Sequence, residues 1–155
     1  MKEEVLFLEQ QRFTQWWLWA IVMGLCVIPF GLLFSDLTWS TVNIVTSLVA
    51  VGVLVVFLSI KMTTVISDTR IQVRFFPLVY RSFSWDHITH AETLDYGFVG
   101  GWGIRLWTDY GTVYNIRGSK GLYIKVGSKQ YLIGTQREEA LHTVIQSILD
   151  KKYGK

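Results

Sequence analysis

The side chains able to do chemistry are few and scattered. Asp86 adjoins His87, His90 follows three positions on, His142 stands far downstream, and Cys26 is the single thiol. A metal centre needs three or four such ligands converging on one point. In an alternating segment His87 and His90 point to opposite faces, and Asp86 diverges from its neighbour in the same way. Cys26 lies inside an uncharged apolar run, where a thiol serves packing rather than attack. No serine occupies a Gly-x-Ser-x-Gly turn. Gly100-Gly101-Trp102-Gly103 lacks the third glycine of a dinucleotide fingerprint, and Gly118-Ser119-Lys120-Gly121 lacks the upstream glycine of a phosphate loop. The sequence therefore predicts no enzyme, no metal, no cofactor and no small-molecule substrate.

Two groups of residues suit binding instead. The first is a glycine–aromatic loop and the segment after it: Tyr96, Gly100, Gly101, Trp102, Arg105 and Trp107. Glycines permit positive φ and close backbone approach, and binding groups collect on loops held by a rigid scaffold. With Ile104 and Leu106 turned inward, Arg105 and Trp107 face outward together, a pair that suits a protein interface. The second group is basic: Lys61, Arg70, Arg74 and Arg81. Cations close to a membrane each contribute roughly 1 kcal/mol of attraction to anionic lipid. The expected partners are the bilayer and a protein or second copy of the chain. Nucleic acid is not expected, because no recognition motif accompanies the basic charge.

The elements that must carry these residues follow from charge and hydropathy. Only 17% of the 155 residues are charged and half are hydrophobic, against about 25% charged in ordinary soluble domains. Residues 1–60 carry a net charge of −2 and residues 61–155 a net of +5. Trp16 to Ser35 and Ser40 to Ile60 are free of charge, and about 20 apolar residues suffice to span a bilayer as a helix. The expectation is a two-helix transmembrane hairpin over 16–60, with spans at 16–35 and 40–60. Trp16, Trp17, Trp19 and Trp39 stand at span ends, where indole rings favour the headgroup level. The short loop from Ser35 to Trp39 has no Lys or Arg, whereas Arg12 and Lys61 flank the pair, which predicts both termini in the cytoplasm. Asn43, Ser47 and Ala50 form a small, polar stripe suited to helix packing. Residues 1–15 read as an amphipathic segment, resting on the membrane or extending the first helix.

Beyond Lys61 the period becomes two. Ile71, Val73 and Phe75 alternate with Arg70, Gln72 and Arg74, Met62 to Ser67 reads as the hairpin partner upstream, and further strands are expected near 80–85, 87–94, 102–107, 112–116, 122–126 and 130–133. Thr135-Gln136-Arg137-Glu138 matches a capping box, opening a helix whose apolar face is Leu141, Val144, Ile145, Ile148 and Leu149. Seven or eight strands and one terminal helix over 62–152 resemble the pleckstrin-homology-like plan, a bent antiparallel sheet plugged by its C-terminal helix. The whole chain also resembles an uncharacterised family of small bacterial membrane proteins with a two-helix anchor and such a domain. That likeness is carried by Phe7-Leu8-Glu9-Gln10-Gln11-Arg12-Phe13, Tyr96, Gly100-Gly101-Trp102-Gly103-Ile104-Arg105, Tyr114-Asn115-Ile116-Arg117-Gly118 and Gly134-Thr135-Gln136. It implies a multi-pass protein of the bacterial plasma membrane with a cytoplasmic domain; the family offers no established activity. Gln72 breaks the basic spacing that phosphoinositide-binding members of the plan use, so non-specific attraction to lipid is the expected form of the basic site. The functional expectation is a non-enzymatic, membrane-anchored binding or scaffold module.

Overall fold

The computed structural model describes residues 3–35, 41–97 and 100–153. In chain order its elements are β1 (Val5–Arg12), α1 (Trp16–Ser35), α2 (Thr41–Ser59), β2 (Lys61–Ser67), β3 (Arg70–Phe76), β4 (Val79–Ser84), a 3-10 turn (Trp85–His87), β5 (Ile88–Asp95), β6 (Gly103–Thr108), β7 (Gly111–Asn115), β8 (Lys120–Val126), β9 (Lys129–Gly134) and α3 (Glu138–Tyr153). The chain divides into two compact units: the residues through Arg12 with those from Lys61 onward, and Phe13–Ile60.

This architecture corrects the expected one in three respects. The strands form two sheets, a four-stranded β1-β2-β3-β4 and a five-stranded β5-β8-β9-β7-β6, not one bent sheet of seven or eight strands. The five-stranded sheet is mixed, because β7 runs parallel to β9. Alternation marks a strand but not its neighbour. β8 takes β5 and β9 as partners, and β9 turns its free edge to β7.

The third correction concerns the membrane hairpin. Among the described residues only α2 is long and apolar enough to cross a membrane, and in α1 the described apolar stretch ends at Gly31. At ~1.5 Å per residue that stretch falls short of a ~30 Å hydrocarbon core. The connecting loop with Asp36 and Trp39 lies outside the described residues. Within the helical unit, Cys26 and Val22 of α1 and Ser47 and Ala50 of α2 are buried, and the Cys26 thiol lies 3.6 Å from the Ala50 carbonyl. Phe57 makes a T-shaped contact with Trp19 at 5.2 Å and stacks with Phe13 at 5.7 Å. Apart from the Ser47–Ala50 stripe, α2 exposes apolar side chains around its circumference, Val45, Leu48, Val51 and Val53 in succession.

The β unit packs as period-two patterning dictates. On β3, Ile71, Val73 and Phe75 are buried while Arg70 and Arg74 are exposed. Val113, Leu122, Ile124 and Leu132 bring the second sheet to the core, and α3 adds Leu141, Ile145 and Ile148 from one face. The Phe83 ring of β4 meets Tyr131 of β9 at 4.6 Å, joining the two sheets.

β1 was not legible as a strand. Its inward side chains are Phe7, Glu9 and Gln11, so two of three are polar and the hydrophobic alternation that signals a strand is missing. It pairs antiparallel with β2 from Val5↔Ser67 to Arg12↔Lys61, so residues 5–12 neither lie as a helix on a surface nor extend α1. The buried polar groups are matched across the unit. Glu9, only 6% exposed, accepts from the Thr135 hydroxyl at 2.6 Å and from the Gln136 backbone N–H at 2.9 Å. The Gln11 amide donates to the Gly134 carbonyl at 2.8 Å. Arg137 donates to the Leu8 carbonyl at 3.2 Å, its guanidinium 5.4 Å from the Phe7 ring centre. The expected capping box is thus rearranged. Thr135 accepts from the Arg137 N–H at 3.0 Å, but Glu138 turns away to pair with Lys120.

Stranding a buried hydrogen-bonding group costs roughly 1–3 kcal/mol, more for charged partners. Glu9→Ala, which strands Thr135 and Gln136, is expected to lower unfolding stability by at least that range. Leu8→Ala, on the exposed side of the same strand, should stay within about 0.5 kcal/mol of wild type. Urea unfolding of the full-length chain, followed by tryptophan fluorescence, checks both.

Candidate functional site

The Tyr96–Trp107 segment divides between core and surface. Tyr96 is buried with Val113, Tyr123 and Leu132, and its hydroxyl donates to the Gly118 carbonyl at 3.2 Å. Burial, with a smaller contribution from the Asp95 charge, pushes its phenol up to about 12. It supports the loop and presents nothing to a partner. Gly100 and Gly101 take φ of 80° and 140°, the turn geometry that favours glycine. Arg105, expected to face outward as an anchor, folds its guanidinium back onto the Gly100 carbonyl and closes that turn. Trp102 is partly exposed. Phe98 and Val99 lie outside the described residues.

Trp107 is different. It is 94% exposed, and its neighbour Leu106, expected to face inward, is 54% exposed. The cause is a bulge. Arg105 pairs with Val113 and Thr108 with Gly111, so β6 holds one residue more than β7 over that span. An extra residue breaks alternation and re-aims side chains. Trp107 absorbs the distortion at φ 57°, the one described non-glycine residue with positive φ. The turn beyond it needs Gly111, where a Cβ would stand 2.3 Å from the Gln130 carbonyl oxygen. β6 is an edge strand of its sheet, so Leu106 and Trp107 project from an open edge. Beside them lies a shallow depression of about 330 Å³, lined by Thr112, Lys129, Gln130 and Tyr131 among others.

The four predicted basic residues do not form one patch. Arg70 is engaged by Glu3 at 2.6 Å, and hydrogen bonds from Thr69 and from Arg70 hold the Glu3 carboxyl below its ordinary value. Arg81 pairs with Val73 in register and is exposed, on the face of β4 that also carries Phe83. There it hydrogen-bonds the Tyr114 phenol, partly offsetting the upward push of burial on that group. Only Lys61 and Arg74 stay together, flanking the Phe76 ring at 6.0 and 5.4 Å.

Two features escaped sequence reasoning. The β3–β4 turn exposes Leu78 (63%), and Tyr80 (59%) at the start of β4 is exposed near Phe76. The signal was an apolar turn, Phe76-Pro77-Leu78-Val79, where turns are normally polar. The other is a groove of about 810 Å³ between the β7–β8 connection and the start of α3, lined by Arg117, Lys120, Arg137 and Glu138 among others. Lys120 there is paired with Glu138, and Arg137 with the Leu8 carbonyl. Among the described residues no three His, Cys, Asp or Glu side chains converge in a metal-binding group. No family model, curated protein or solved structure matches this chain.

The buried phenol gives a pH signature. A tyrosine that ionises near 10 when unfolded and near 12 when folded contributes its stability in full below pH 10. That contribution is lost as pH rises from 10 to 12, where the unfolded chain releases the proton first. Urea midpoints at pH 9 and pH 11 should therefore diverge less in Tyr96→Phe than in wild type.

Proposed function

We propose that the chain is a non-enzymatic, membrane-held binding module whose open β6 edge docks a protein through Leu106 and Trp107. The observation that carries this reading is Trp107: a large ring, almost fully exposed, held at positive φ on an edge strand beside a second exposed apolar side chain. An L-residue held in that region costs of order 1–3 kcal/mol. Nothing in the fold recovers that cost, since the ring is not packed. Tryptophan is also the residue most enriched where a few side chains dominate an interface, and a docking partner would bury it in a pocket. Open edge strands add unpaired backbone groups to which a partner can pair.

The membrane part of the reading rests on α2. A helix apolar all round is either buried in a large core or inserted in lipid, and only 11% of the apolar window of α2 is buried. Basic residues follow it directly from Lys61, which favours the cytoplasmic side for the β unit.

Trp107→Gly separates the two roles of the residue. Glycine adopts φ 57° without strain, so the variant is expected to match or exceed wild-type stability by up to about 1 kcal/mol while losing the partner. A photo-crosslinking residue at the neighbouring Asp109, in the full-length chain in its membranes, should give one discrete protein adduct. That adduct should disappear with Trp107→Gly. A size of twice the chain would identify a second copy. No adduct, or one unchanged by Trp107→Gly, overturns the reading.

A further inference from the structure

We propose that the β3–β4 turn and the basic residues beside it form a foot that rests on an anionic bilayer surface. The contact is made by Phe76, Leu78 and Tyr80 set among Arg12, Lys61 and Arg74. It rests on the reading that α2 is inserted in a membrane.

Strand register brings these residues to one end and one face of the four-stranded sheet. Arg12 pairs with Lys61, and Lys61 with Phe76, making a row across β1, β2 and β3. Arg74 pairs with Tyr80 in the next row, and residues two apart on a strand share a face. Leu78 closes the turn, its N–H donating to the Phe75 carbonyl at 2.8 Å. All three apolar side chains are exposed. Lys61 and Arg74 lean on the Phe76 ring from two sides, so the cations ring an apolar centre.

Charge and connectivity select lipid as the occupant. From Lys61 to Trp85 the single acidic residue is Asp68, which lies between β2 and β3 at the opposite end of the sheet. The charged residues named in the foot are therefore all cations, complementary to an anionic headgroup layer. The foot is also the end at which the chain passes out to Phe13 and returns from Ile60. α2 ends at Ser59 and β2 begins at Lys61, and two residues reach at most about 7 Å. A helix inserted to its end thus delivers Lys61 into the headgroup layer, with its row-mate Phe76 alongside. Aromatic and aliphatic side chains flanked by Lys and Arg are the composition that settles at that depth.

The test uses the full-length chain with Cys26→Ala, reconstituted in phosphatidylcholine vesicles with or without phosphatidylglycerol. Single cysteines at Leu78→Cys, Asp68→Cys and Val49→Cys carry an environment-sensitive fluorophore, and spin-labelled lipids quench at shallow or deep positions. The expected result is shallow quenching at position 78, none at 68 and deep quenching at 49. Phosphatidylglycerol should strengthen the signal at 78. Each of Arg12→Gln, Lys61→Gln and Arg74→Gln should cut that strengthening about fivefold, the equivalent of ~1 kcal/mol per cation. Deep quenching at 49 without quenching at 78 overturns the foot and leaves the membrane reading of α2 standing. Quenching at neither position overturns both. Protection of position 78 from aqueous iodide without quenching by lipid labels assigns the turn to a protein contact and also overturns the proposal.

Discussion

The β unit depends on one buried carboxylate. Glu9 projects from β1 into the junction where β9 gives way to α3, and both of its oxygens are occupied by donors from that junction. Burying a carboxylate is costly unless hydrogen bonds replace its hydration, so the groups it meets have little freedom to be elsewhere. The Thr135 hydroxyl donates to Glu9 and accepts from the Arg137 N–H, which aligns the entry to α3. From that entry follow the helix face of Leu141, Ile145 and Ile148 and its seat on the core. The four-stranded sheet and the terminal helix are thus registered against each other by polar contacts as well as by packing.

How much of this the sequence discloses depends on what each residue signals. Ile71, Val73 and Phe75 announce β3 because a half-buried strand repeats every two residues, and Leu141, Ile145 and Ile148 announce α3 because a helix face repeats every three or four. Individual strands were legible for that reason. Their assembly was not. Period two is silent about whether β7 turns to β8 or runs parallel to β9, a choice made by which edges other strands have already taken. β1 shows a second kind of silence. Glu9 and Gln11 are as buried as Phe7, yet a polar residue gives no hint of burial until its partners, far away in sequence, are known.

The candidate sites show the same division. Glycine at 100 and 101 pointed correctly to a turn, but whether Arg105 reaches a partner or its own loop is decided by a backbone carbonyl that no pattern encodes. The exposure of Leu106 follows from one extra residue in β6, and a single insertion reverses every inward–outward assignment beyond it. Among the basic residues, Arg70 and Arg74 share a face by alternation, as expected. Glu3 nevertheless occupies one while Phe76 lies under the other, so equal charges have unequal surroundings.

The pairing of β1 with elements made much later has a consequence for biogenesis. The first strand leaves the ribosome well before Lys61, the start of its sheet partner, and Glu9 waits 126 residues for Thr135. Contacts of such long sequence separation raise contact order and slow folding. β1 stands without a sheet partner until β2 is made, and its acid stays unmatched until Thr135 and Gln136 follow. That acid makes β1 a poor template for aggregation in the interval, since charge on an inward position discourages wrong pairing. The residue that locks the finished domain also guards the unfinished one.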